Sequence, residues 1–244
     1  MCPEMLRVEP GSFVMGSEWL WRRRWMAKDA RPKHSVTIPK AFAVGRFEVT
    51  FAEWDACVSE GGCGARRPND QGWGRGAHPV VDVSWDDAQT YVGWLSGKTH
   101  ASYRLLTEAE WEYAARATTT SAYPWGNRAS HAWANYGQEE CCVGMTADHD
   151  QFLNTAPVGQ FAPNRFGLHD MPGNVYEWVE DCYVDSYDRS PSDGSAVKVP
   201  DCKFHAMRGG AWYSDPRRIR SAYRAYQTPD KRDKVIGLRV AKTL

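Results

Sequence analysis

The sequence has no excess charge of either sign: 30 Lys and Arg stand against 30 Asp and Glu in 244 residues. A balanced surface gives no electrostatic footprint for nucleic acid or an acidic membrane, so neither is expected as a partner. The one basic run, Arg22-Arg23-Arg24, is short enough to be a solvated loop. No apolar run is long enough for a membrane-spanning helix, so no insertion is expected. The opening Met1-Cys2-Pro3-Glu4 has neither the basic nor the apolar part of a leader peptide.

Several catalytic signatures are also missing. There is no paired CxxC framework for zinc, no Gly-x-Ser-x-Gly elbow, and no P-loop or dinucleotide fingerprint. The seven His (His34, His78, His100, His131, His149, His169 and His205) include no pair at helical metal-binding spacing.

What the chain does have is aromatic and turn-forming: 12 Trp, 21 Gly and 14 Pro. Such a composition suits irregular backbone anchored by large rings. Its length allows a substantial core, and one domain over residues 1–244 is the simplest organisation. Cys57 and Cys63 flank a Gly pair, and Cys182 and Cys202 bracket a polar insertion. Either pair could close a disulfide, which would favour an exported or oxidising location. Free buried thiols remain the alternative, since connectivity does not follow from spacing.

Local signals place the elements. Val8 to Ser17 reads as a short strand and turn around Pro10-Gly11. His34–Ile38 and Ala41–Val44 alternate as strands. Thr50…Glu53, Ser84…Asp87 and Thr107…Glu110 have the spacing of capping boxes, and each opens a helix. Phe51, Trp54 and Val58 share one face of the first helix. Trp85, Ala88, Val92 and Leu95 share one face of the second, and Trp111, Ala114 and Ala115 point inward in the third. Residues 118–150 show no period, which suggests a functional segment or one held by a cation. In Arg208–Leu244, Gly209-Gly210 suits a tight turn leading into a strand, and Ile236–Ala241 reads as a closing buried strand.

Taken in order, these segments resemble the formylglycine-generating-enzyme/sulfatase-modifying-factor family. The markers are Gly11–Ser17, Glu48-Val49-Thr50, His78-Pro79-Val80, Arg104–Arg116, Gly173–Trp178, Arg208-Gly209-Gly210 and Gly237-Leu238-Arg239. The resemblance covers almost the whole chain. It implies an α+β, C-type-lectin-like fold with few helices, short strands and much irregular backbone. It also implies two structural calcium sites. One would use the side chains of Asn135 and Asp150 with the carbonyls of Tyr136 and Phe152. The other would use the side chains of Asp170 and Glu177 with the carbonyls of Gly173 and Val175. These are hard oxygen donors of the kind calcium takes. Asp170 stands where the copper-dependent members of the family carry Asn.

The chain departs from the family at the reaction centre. The copper-dependent oxidases use two Cys after Arg-Gly-Gly; Ser214 stands at the first position, and Ile219 stands at or beside the second. Neither can hold soft Cu(I), so no copper is expected. A second enzymatic branch binds iron through His from a separate helical domain, and the scattered His here do not supply that site. A third branch is non-catalytic: the variable proteins of diversity-generating retroelements display a diversified C-terminal surface on this fold. The framework of that surface is retained at Arg208, Trp212, Arg220, Arg224, Arg232 and Arg239, among others. Its ligand-facing positions correspond to Tyr213, Ser214, Asp215, Tyr223, Ala225, Thr228, Lys231, Asp233, Lys234 and Val235, with Tyr226 beside them. Lys231, Lys234 and Gln227 do not arise simply from an adenine-substituted Asn codon, and ordinary bacterial members share the framework. The expected function is non-catalytic binding of a protein or small molecule at the C-terminal surface. The alternative is oxidoreductase chemistry at a non-standard site.

Overall fold

The computed structural model describes residues 2–18, 30–138 and 148–244. The basic run at 22–24 and Cys141 and Cys142 lie outside the described residues. Among those described, the chain forms ten short strands and three helices in an α+β arrangement. No helix is long and apolar enough to cross a membrane.

The first sheet has the order β1-β4-β10-β5, from β1 (Met5–Val8), β4 (Phe42–Gly45), β10 (Val240–Thr243) and β5 (Tyr103–Leu105). A two-stranded ribbon pairs β2 (Gly11–Met15) with β3 (His34–Ile38). The third sheet has the order β8-β7-β6-β9, from β8 (Ala225–Gln227), β7 (His205–Arg208), β6 (Tyr176–Cys182) and β9 (Ile236–Leu238). In that sheet β6 and β9 run parallel, and the other pairs are antiparallel.

All three capping boxes close. Thr50, Ser84 and Thr107 each accept from the backbone N–H three residues on, and Glu53, Asp87 and Glu110 reach back to the cap. These contacts define the starts of α1 (Phe51–Ser59), α2 (Trp85–Thr99) and α3 (Glu108–Arg116), and each cap contributes about 1 kcal/mol. Trp54 of α1 stacks on Tyr91 of α2, with centroids 5.6 Å apart, in the larger of two main core clusters. Helix α3 is buried along all nine residues, including its charged ones. It threads between the ribbon and the third sheet.

Two expectations for the C-terminal segment need correction. No strand follows the Gly pair; residues 211–214 form a turn, closed by Ser214 N–H donating to the Ala211 carbonyl at 2.8 Å. The closing segment is also not one strand. It breaks at Arg239 into β9 and β10, which belong to different sheets. The break follows from chemistry: Arg239 is fully buried and turns toward Glu177, so a uniform apolar face cannot continue.

Candidate functional site

The C-terminal segment is framed by buried ion pairs to α3. Arg208 closes β7 and pairs with Glu112, while its Nη1 donates to the Tyr223 carbonyl at 2.6 Å. Arg224 donates to both oxygens of Glu108, at 2.7 and 2.8 Å. Arg116 completes the cluster by donating to Glu112 at 2.8 Å. Burial pushes Glu108 toward its neutral form, but Arg224 and Arg208 outweigh it and hold its pKa below the ordinary carboxylate value. Next to Arg208, Gly209 and Gly210 adopt φ of 96° and 76°. A Cβ on Gly210 would sit 2.7 Å from Ile219 Cγ2 and 2.8 Å from the Arg218 carbonyl, so only glycine fits there. Farther on, Arg232 makes a two-pronged contact with Asp87 at the start of α2, at 2.7 and 2.9 Å. The segment is therefore clamped to two helices.

The two positions that matter for thiol chemistry are both occupied by structural contacts. Ser214 is buried, not ligand-facing; its Oγ accepts from Ala211 N–H at 2.9 Å and donates to the Tyr176 hydroxyl at 3.3 Å. Ile219 is completely buried in a cluster with Tyr123, Ala134 and Tyr136. The one free cysteine among the described residues is the exposed Cys2.

The remaining side chains of the segment divide between two surfaces. Tyr223, Ala225, Tyr226, Asp233 and Val235 line an open groove of about 640 Å³ that takes residues from all four strands of the third sheet. Its other contributors are not among the expected ligand-facing positions: Tyr176, Tyr183, Asp185 and Met207 come from β6, β7 and the chain just after β6, Arg224 and Ile236 belong to the framework, and Arg218 and Gln227 lie in the C-terminal segment outside both sets. Tyr183 and Tyr226 stack with centroids 4.0 Å apart, and Phe204 meets Tyr226 edge-on. Arg218 is half exposed, with Asp215 3.5 Å away. Asp215 is also gripped by Arg217 at 2.9 and 3.0 Å, so it positions arginines instead of facing outward. Tyr213 belongs to the other surface. It is 55% exposed and lies edge-on to Trp212, which in turn meets Trp73 edge-on and has Lys234 over its ring. Thr228 and Lys231 close an exposed turn through a backbone bond of 3.1 Å. A larger depression of about 840 Å³ lies near Phe42, Thr107 and Gly194, and of this segment only Thr243 and Leu244 reach it.

Two clusters of oxygen donors lie behind the segment. In the first, Asn135 Oδ1 is buried without a hydrogen-bond partner. Asp150 Oδ1, Asp150 O and Phe152 O all converge on the Gln138 side-chain amide, at 3.4, 3.3 and 3.1 Å. The second Asp150 oxygen meets His131 Nδ1 at 2.9 Å. The other cluster contains Asp170, Glu177 and a residue that sequence reasoning did not select, Glu48. Both Glu48 oxygens are buried without a hydrogen-bond partner; Arg239 is a long ion pair away, at 3.8 Å. Arg239 is already committed to Glu177 at 2.8 Å, and Glu177 also accepts from Trp111 Nε1 at 2.6 Å. Burial, with Asp170 nearby, drives the Glu48 pKa well up, and burial raises that of Asp170 to about 6. Three buried carboxylates thus share one guanidinium. A buried charge without a partner is costly, and the unsatisfied oxygens of both clusters fit a hard dication. Gly173 turns at φ 92° beside the Asn135 carbonyl, so the two clusters adjoin through backbone. Val175, the remaining carbonyl of the second set, is fully buried just before β6. Tyr136 stacks on His131 beside the first set, with centroids 3.7 Å apart. The only sequence signal for Glu48 was its place in the Glu48-Val49-Thr50 marker.

Residues 1–244 match the model of the sulfatase-modifying factor enzyme 1-like domain. A formylglycine-generating enzyme of Thermomonospora curvata is 36% identical over 206 residues, covering 79% of this chain and 62% of that protein. The chain thus spans less than two thirds of that relative's length. The structure of PvdO from Pseudomonas aeruginosa is similar throughout, with 38% identity, a TM-score of 0.86, and coverage of 100% of this chain and 95% of that one. Variable protein 1 of Treponema denticola shares the fold at 22% identity and a TM-score of 0.76, covering 98% of this chain and 94% of that one.

Proposed function

This chain belongs to the family of sulfatase-modifying factor enzyme 1-like domains, and from that premise we propose that it binds a ligand in the C-terminal groove without transforming it. The observation that carries this reading is the contact between Ser214 Oγ and the Tyr176 hydroxyl at 3.3 Å. It sits where family resemblance puts the first thiol of the copper-dependent oxidases, and it commits that position to a turn and to the groove floor. Ile219, with no polar atom, is sealed in a cluster of aromatic rings. Soft metal chemistry needs thiolates or thioethers, and neither residue supplies one.

The groove suits recognition. Tyr176, Tyr183, Tyr223 and Tyr226 offer rigid amphipathic area, with Gln227, Asp233 and Arg218 as polar contacts. Tyr and short polar side chains are the combination antibody loops use, for the same entropic reason. Calcium bound at the two oxygen clusters would hold the irregular backbone behind the segment. The fold shared with a variable protein is compatible with display of a diversified surface, and that version has its own test. The flanking DNA should carry a near-copy of the last codons that differs only at adenines, beside a reverse transcriptase gene.

The binding reading is tested by screening the purified protein against a peptide library and a glycan array, then repeating any positive with Tyr226→Ala and Tyr223→Ala. Loss of signal in both variants is expected. Retained signal in both variants would move the binding face away from this groove, and stoichiometric copper or iron in the purified protein would replace binding with the oxidoreductase alternative.

A further inference from the structure

Beyond the groove, a group of sulfur and nitrogen atoms forms a second constellation. Cys182 at the end of β6 is disulfide-bonded to Cys202, 20 residues on. His205, at the start of β7, places Nε2 3.5 Å from Cys202 Sγ. One ligand atom from each of the three residues lies within 4.8 Å of the other two, the one place among the described residues where three His, Cys, Asp or Glu ligand atoms come that close together.

The surroundings favour a metal ligand over a chance neighbour. The His205 ring is stacked flat on Trp85, with centroids 3.8 Å apart, and Trp85 is fixed by its Nε1–H donating to the Val179 carbonyl at 2.9 Å. The imidazole is thus oriented before any ion arrives. Cys182 is held at the strand end by its N–H donating to the Val197 carbonyl at 2.9 Å. Cys202 is partly exposed, at the end of the polar insertion, whereas Cys182 is buried. Two thiolates and one imidazole, with one side open, form a donor set for zinc or a similar borderline-soft ion.

We propose that reduction of the Cys182–Cys202 disulfide creates a binding site for a zinc-class divalent cation, with Cys182, Cys202 and His205 as ligands. A dithiol reductant supplies the two electrons. Its thiolate attacks Cys202 Sγ, the accessible sulfur, and Cys182 Sγ leaves as thiolate. The second thiol of the reductant then closes the reductant's own disulfide and frees Cys202. The cation displaces the two thiol protons to solvent as it binds. The base of the 183–201 insertion is thereby tied in both redox states, by a covalent bond when oxidised and by a metal when reduced.

The test titrates Co(II), a spectroscopic stand-in for zinc, into the whole protein before and after reduction with a phosphine. The reduced protein should take up one equivalent, with a thiolate-to-cobalt charge-transfer band and the visible absorption of a tetrahedral ion; Zn(II) should bleach both. The oxidised protein should show neither. His205→Gln should weaken uptake about tenfold or more, while Cys57→Ala/Cys63→Ala should leave it intact. A readout on the wild type covers the case in which a variant fails to fold: Zn(II) should protect Cys182 and Cys202 from iodoacetamide, as read by mass spectrometry. The proposal is overturned if the reduced protein gives no tetrahedral cobalt spectrum, if His205→Gln binds as tightly as wild type, or if protection falls on Cys57 and Cys63 instead.

Discussion

Arg224 grips Glu108 through two hydrogen bonds, of 2.7 and 2.8 Å, across 116 residues of sequence, and both side chains are buried. This contact couples the far end of the C-terminal turn to the first residue of α3. Replacing the arginine with an apolar residue of similar reach leaves Glu108 buried with its best partner gone. Arg224→Met should cost about 3–5 kcal/mol, measured by urea unfolding. A loss below about 1 kcal/mol would mean that Arg208, 3.6 Å from Glu108, suffices alone.

The same pair sets a dependence on acid. The folded-state pKa of Glu108 is lowered from its ordinary value of 4.5. A depressed carboxylate gives stability that is fully present above the unfolded value and is lost as pH falls through the folded one. Stability should therefore decline as pH drops below 4.5, and the decline should be shallower in Arg224→Met, where less depression remains to be lost. Parallel declines in the two proteins would show that other carboxylates govern acid unfolding.

Calcium should raise stability by mass action. With calcium at a hundredfold excess over its dissociation constant, the gain is about 2.7 kcal/mol per site, and EGTA should remove it in a calorimetric melt. Glu48→Gln separates this from general salt effects. Without calcium the variant should melt higher than wild type, because a buried carboxylate with no hydrogen-bond partner is gone. It should also gain less from added calcium. Equal calcium increments in the two proteins would take Glu48 out of that site.

The segment's exposed tyrosines should not act as one surface. Tyr226 lines the groove, whereas Tyr213 sits with Trp212 and Trp73. For any peptide or glycan captured in the screen, Tyr226→Ala should weaken binding by about 1–3 kcal/mol, and Tyr213→Ala should leave it within about 0.5 kcal/mol. The reverse pattern would move the binding face to the tryptophan side.

What the sequence made legible was local. The caps at Thr50, Ser84 and Thr107 and the inward faces of their helices follow from spacings of three and four, and the family markers carried the fold. What it hid depends on partners far along the chain. Glu108 and Glu112 look like ordinary solvent-facing helix charges until Arg208 and Arg224 are brought to them. Ser214 looks like a surface hydroxyl until its turn folds it under Tyr176. Ile236–Ala241 has the alternation of one strand, and nothing local says that Arg239 must turn to Glu177 and split it. The groove was half legible: Tyr223, Ala225, Tyr226, Asp233 and Val235 were named, but Arg218, Gln227 and the tyrosines from β6 and just beyond it were not.

That split has a consequence for how the protein is made. Strand β9 completes the sheet of β6, β7 and β8, while β10, one residue later, inserts between β4 and β5. Residues 236–243 come after every strand they join, so on the ribosome neither sheet can close until this stretch has emerged. Strands β4 and β5 then wait through most of synthesis for the neighbour that lies between them. The nascent chain would carry two unfinished sheets at once, the state most open to pairing with another copy, and a single late segment would complete both.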